Sequence, residues 1–157
     1  MIKQISDGVK IPRAFTIAFM IVSFIGFLDA TYLTAQHYLG SFPPCVITTG
    51  CETVLVSEQS VIFGIPTALL GAGYYLIIFL LTIIALELRQ GKIFHFVAFL
   101  TPIGFLASLY FVYLQLFVLK EICFYCMVSA ATSTILFAIG LFVIIKSRLM
   151  EPDLIKR

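Results

Sequence analysis

The sequence predicts an all-α fold: an integral membrane four-helix transmembrane bundle with an extracytoplasmic capping loop. Three observations predict it. Of the 157 residues, 61% are hydrophobic and only 11% charged, with a mean hydropathy of +1.11. Soluble domains average about 45–50% apolar and about 25% charged residues. The apolar residues fall into four runs, each near the ~20 residues that a spanning helix needs. The basic residues lie almost wholly on one side of those runs. Together these exclude a disordered tail, a nucleic-acid binder and an ordinary cytosolic domain. A single membrane domain over residues 1–157 is expected, and a net charge of +2 is too small to imply an acidic partner.

The first span covers residues 14–39 and holds one charge, Asp29. It is too long for the roughly 7–15-residue apolar stretch of a cleaved signal peptide. An outer loop over residues 40–64 follows. The second span, 65–88, is charged only at Glu87. The third, 94–118, and the fourth, 122–145, contain no Asp, Glu, Lys or Arg. A soluble helix would show a polar face at a period of about 3.6 residues. These runs show none, so lipid is the expected surroundings. Gly64, Gly71 and Gly73 are read as points of close helix contact.

Charge sets the orientation. Lys3, Lys10, Arg13, Arg89, Lys92, Lys146, Arg148, Lys156 and Arg157 fall on one side, nine of the ten basic residues, and only Lys120 on the other. Positively charged loops stay in the cytoplasm. Both termini are therefore expected there, in a cell inner or plasma membrane. The 40–64 loop and the turn near Lys120 face outward.

All four cysteines, Cys45, Cys51, Cys123 and Cys126, then fall on the outer, oxidising side, which points to disulfide chemistry. Cys123-Phe124-Tyr125-Cys126 is a C-x-x-C motif opening a helix. Residues three apart share a helix face, and the helix N-terminus favours thiolate over thiol. Cys45 and Cys51 sit in a turn-rich loop with Pro43, Pro44, Thr49 and Gly50. A structural staple is the plain alternative, and three pairings are possible in principle. A Cys₄ zinc site fits poorly, because structural zinc knuckles space their cysteines C-x₂₋₄-C. No metal is expected. Two pairs suggest a relay by thiol–disulfide exchange. No flavin or nicotinamide fingerprint is present, so a membrane quinone is the economical acceptor.

Together these residues resemble the vitamin K epoxide reductase family, in a bacterial or archaeal form. The resemblance runs from about Ile17 to Ile145. It rests on the stretch from Asp29 to Tyr38, Cys45 and Cys51, Ser57, Ile62-Phe63-Gly64-Ile65-Pro66, and the late Cys123-Phe124-Tyr125-Cys126. It implies a four-helix bundle around a quinone, ubiquinone or menaquinone, capped by the outer loop. It implies that Cys45 takes electrons from a partner, that Cys51 passes them to Cys123, and that Cys126 delivers them. Ser57 matches a family serine near the quinone or the shuttle cysteines. Vertebrate members have an asparagine where Ser60 stands and a tyrosine where Ala130 stands, and both hydrogen-bond the vitamin K head group. A fused thioredoxin-like domain, common in the family, is not expected here. The implied partner is a separate thioredoxin-fold (DsbA-like) protein, soluble or anchored. The function expected is thiol:quinone oxidoreduction supporting disulfide formation. The alternatives are quinone or vitamin K epoxide reduction, or a disulfide-stapled structural membrane protein.

Polar residues within the spans complete the candidates. A central charge costs about 2.5–3.5 kcal/mol on insertion scales. Asp29 shares a face with Tyr32 and Gln36 and is read either as a proton path or pocket wall for the quinone, or as a helix-packing carboxyl. Gln115 in span three, near the outer rim, is a candidate quinone contact, with Tyr110 and Tyr113 weaker ones. Phe63 is a further candidate, beside Gly64 and Pro66 where the loop re-enters. His37 and His95 are given no catalytic part.

Overall fold

A computed structural model describes residues 13–41, 50–88 and 91–155. Lys3, Lys10, Pro43, Pro44, Cys45, Arg89, Lys156 and Arg157 lie outside the described residues. In chain order the elements are α1 (Arg13–Leu39), α2 (Cys51–Val56), a 3-10 turn (Glu58–Ser60), β1 (Val61–Ile62), β2 (Ile65–Pro66), α3 (Thr67–Glu87), α4 (Gly91–Tyr113) and α5 (Phe124–Ile155). The end of α4 widens into a π-helical stretch over Leu114–Leu119. Among the described residues four helices are long and apolar enough to cross a membrane: Arg13–Leu39, Thr67–Glu87, Gly91–Leu119 and Phe124–Lys146. The protein is an all-α multi-pass membrane bundle.

The spans begin and end within a few residues of the apolar runs, and two of the shifts have a local cause. The second starts at Thr67 because Ile65 and Pro66 pair with Ile62 and Val61 in the hairpin. Helix α5 continues past the apolar run to Ile155, through the good helix formers Arg148, Leu149, Met150 and Glu151.

Helix α1 packs on α3 and α5, and α4 packs on the same two, closing a four-membered ring. Phe19 and Phe94 meet across its diagonal, with centroids 5.3 Å apart. Phe105 stacks on Phe137 at 4.6 Å between α4 and α5. Phe19 and Phe94 form a closed core with Ile78, Val97 and Leu136. Small residues set the spacing elsewhere. A Cβ on Gly26 would lie 2.5 Å from the Tyr75 ring, and one on Gly104 would collide with Tyr74. Gly71 faces Ala30 in ordinary contact, whereas nothing approaches Gly73.

Buried hydroxyls return their hydrogen bonds to their own helices, as Thr34 does to Ala30, Thr82 to Ile78 and Ser23 to Met20. The Thr101 hydroxyl has a further task. Pro102 lies inside α4 and has no N–H to give the Ala98 carbonyl. Thr101 Oγ1 donates to that carbonyl at 2.7 Å, so the helix passes the proline without an orphaned acceptor.

Residues 50–66, ahead of α3, form a cap at one end of the bundle. Ser57 donates to the Val54 carbonyl and Ser60 to those of Leu55 and Ser57, which satisfies the end of the six-residue α2. The hairpin turns through Phe63 and Gly64, with φ of 52° and 80°. Positive φ at both central residues is the tight-hairpin geometry. The Thr67 hydroxyl donates to the Ser60 carbonyl at 3.0 Å and pins the cap to α3. The α4 end and the start of α5 lie at this same end, and Lys92 and Lys146 at the other.

Candidate functional site

Cys123 is the last residue before α5, and Cys126 sits in its first turn. The approach to them is fixed by backbone. Lys120 takes a left-handed conformation, φ 54°, which ends the π-helical stretch. The Glu121 N–H donates to the Gln115 carbonyl at 3.1 Å. The Cys123 N–H donates to Gln115 Oε1 at 2.9 Å. Gln115 is 2% exposed and Cys123 fully buried. Gln115 therefore orients the cysteine as well as facing the cavity described below.

Both thiols of the motif are free. The Cys126 thiol donates to the Cys123 sulfur and is the main cause that pulls the Cys123 thiol down to about 7; burial opposes it, and the Cys126 and Tyr125 amides at the helix start add to it. Ionisation is thus favoured at Cys123.

Cys51 opens α2, is buried, and is held in a disulfide. Cys45, its expected partner, lies outside the described residues. Gly50, the residue before Cys51, packs against the strand of chain that leads into Cys123. A Cβ there would meet Glu121 Oε2 at 2.7 Å and the Ile122 nitrogen at 2.9 Å. The backbone at Gly50 must come this close, and only glycine permits it. The loop cysteine and the helix cysteine are thus carried by touching segments.

Beneath the cap is a cavity of about 360 Å³. That is within the size range of small-molecule sites, about 300–1,000 Å³. Cys126 and Gln115 border it, and Ser57, Ser60, Val54, Leu55 and Ile62 close it from the cap. Its walls are Ala30 and Leu33 from α1, then α3, α4 and α5. Small residues, Ala68, Gly71, Gly104, Ala107 and Ala130, make the space. The lining is mostly apolar, with a few hydroxyls. Ser108 and Ser133 bond each other at 2.6 Å. Tyr75 donates to the Ser129 carbonyl at 2.7 Å and lies 2.9 Å from the Thr132 hydroxyl. The Tyr74 hydroxyl is buried and has no partner, which leaves one donor free at the wall.

The structure thus brings Cys126, Gln115 and Ser57 to one cavity, with Cys51 and Cys123 beside it. Two expected quinone contacts are placed elsewhere. Phe63 stands at the hairpin tip, fully exposed, outside the cavity lining. Asp29 also lies outside the lining, although its neighbours Ala30 and Leu33 belong to it. Tyr110 and Tyr113 are exposed on the outer face of α4. Gln36 accepts a bond from Ser41 near the end of α1. Tyr74, Tyr75, Ser108, Ser129 and Ser133 are lining residues that the sequence reading passed over. A signal for two of them existed: Cys126, Ser129, Ala130 and Ser133 follow at helical spacing and share one face of α5. Among the described residues no group of His, Cys, Asp or Glu is arranged to hold a metal ion.

The chain matches the Vitamin K epoxide reductase family over residues 17–141. It is also similar to the thiol-disulfide oxidoreductase LTO1 of Arabidopsis thaliana, 35% identical over 121 residues, covering 70% of this chain and 31% of that protein. The chain therefore spans about a third of that relative's length.

Proposed function

The chain belongs to the vitamin K epoxide reductase family, and on that footing we propose that it oxidises the thiols of a thioredoxin-fold partner and passes the electrons to a membrane quinone. The observation that carries this reading is the position of Cys126: it lines an apolar cavity and stands three residues after a buried thiol, Cys123, whose leading segment touches the residue before Cys51. Four cysteines in a purely structural protein would have no need of two free thiols beside a bonded one.

A partner thiolate attacks the disulfide between Cys45 and Cys51, giving a mixed disulfide with Cys45 and a Cys51 thiolate. With Cys123 and Cys126 oxidised to a disulfide, Cys51 attacks Cys123, and the Cys126 thiolate leaves. The partner's second thiol displaces Cys45 and the partner departs oxidised; Cys45 then attacks Cys51, which restores the loop disulfide and frees Cys123 as a thiolate. Each cycle moves two electrons inward. A quinone held among Cys126, Tyr74, Ser57 and the small residues of the walls would supply the two-electron sink. The cavity's size, its apolar walls and the unpartnered Tyr74 hydroxyl suit such a ring. Epoxide reduction is less well supported. Ala130 brings no hydroxyl to the cavity, and the Ser60 hydroxyl is spent on the Leu55 and Ser57 carbonyls. Lys92 and Lys146 at the far end support a cytoplasmic assignment for that end and an extracytoplasmic one for the cysteines.

The test is a purified Cys126→Ala variant assayed with a reduced thioredoxin-like protein and a short-chain quinone in detergent. It should lose quinone reduction and still trap the partner as a mixed disulfide. Full turnover by that variant would sink the mechanism.

A further inference from the structure

Asp29 takes no part in the relay above, and its setting is unusual. It lies within the span of α1, ten residues before the helix ends. One of its carboxyl oxygens, Oδ2, is buried with no hydrogen-bond partner. A buried polar atom left unpaired is costly and calls for an explanation. The groups that face it are known. Tyr75 of α3, Cys123 just before α5, and Tyr125 and Cys126 in the first turn of α5 all feel its charge. Among the described residues none of these neighbours is cationic, so no ion pair accounts for the carboxyl. The rings of Tyr32 and Tyr125, 5.4 Å apart, hold this face of α1 against the start of α5.

Cys126 meanwhile has a chemical need. It donates its thiol proton to Cys123, where ionisation of the pair is favoured. To give up electrons it must first lose that proton, and to be released from a disulfide it must regain one. Two negative charges this close in apolar surroundings repel each other. Ionisation of Cys126 and protonation of a neighbouring carboxylate therefore go together.

We propose that Asp29 is the proton-exchange group of the Cys123–Cys126 pair. The proposal rests on the thiol-to-quinone reading above. When the pair is oxidised, the Asp29 carboxylate takes the Cys126 proton. The two sulfurs form a bond and their electron pair goes to the quinone, which draws its two protons from water. When Cys51 attacks Cys123, the S–S bond of the pair breaks. The departing Cys126 thiolate takes the proton back from the Asp29 carboxylic acid. One proton moves between the two side chains and returns each cycle. The two protons released by the partner's thiols balance the two taken up with the acceptor.

The experiment uses the whole chain in detergent, with dithiothreitol as donor and menadione as acceptor. A wild type that does not turn over overturns the quinone reading, and the Asp29 assignment is then judged on its own readout. That readout is the infrared difference spectrum on oxidising the reduced protein with diamide. A protonated-carboxyl band should grow in the wild type and be absent in Asp29→Asn. In the turnover assay Asp29→Asn should be slowed about 100-fold, the usual worth of positioned proton transfer, and Asp29→Glu should recover most of that loss. Trapping of the partner on the loop pair should be unchanged in both variants. A wild type with no carboxyl change on oxidation overturns the proposal, as does an Asp29→Asn variant as fast as wild type.

Discussion

Cys123 concentrates the chemistry of the site in one atom. Its thiol is pulled down to about 7, first by the Cys126 thiol, whereas an ordinary cysteine titrates near 8.5. The direction fixes the sign. A depressed thiol stabilises the reduced fold at pH above the ordinary range, and that contribution fades as pH falls through about 7. Ultraviolet thiolate absorbance of the reduced protein should therefore titrate near pH 7 and move upward in Cys126→Ala, which removes the donor. A titration unmoved by that substitution would assign the depression to the helix amides instead. The cysteines were legible in the sequence because their spacing and their common side of the membrane carry the meaning. Tyr74 and Tyr75 were not. In a run that is apolar all round, the sequence does not say which way a helix is rotated, so the partner of a tyrosine cannot be read from its position.

At the scale of elements, the contact of α1 with α3 depends on one missing side chain. Tyr75 lies over Gly26 and is fixed at its far end by Ser129 and Thr132. The ring has no room to retreat. Gly26→Ala should therefore cost about 1–3 kcal/mol from overpacking, more than the ~1 kcal/mol that alanine gains in helix propensity. The thermal midpoint in detergent should fall, and a rise would mean that the ring can slide. The four long helices were readable from length and composition. Helix α2 and the hairpin were not, since six and two residues are too few to show a period. The third span reads straight through Pro102 in the sequence, and it is the hydroxyl of Thr101 that lets the helix continue there.

For the whole molecule, the proposed function divides one bundle into two places, the cavity for the acceptor and the loop cysteines for the partner. Substitutions in the cavity walls should therefore separate the two. Ala130→Phe should fill part of the 360 Å³ and raise KM for the quinone about tenfold or more, equivalent to about 1.4 kcal/mol of lost binding. Mixed-disulfide formation with the partner should stay at the wild-type rate. An unchanged KM would place the acceptor elsewhere. The same walls have a bearing on descent. Gly71 has space for a methyl group, since a Cβ there meets only Ala30 at 3.7 Å. Ala68, Ala107 and Ala130 differ from larger residues by single substitutions. A lineage could therefore change what this cavity admits through these positions, while its cysteines stayed as they are.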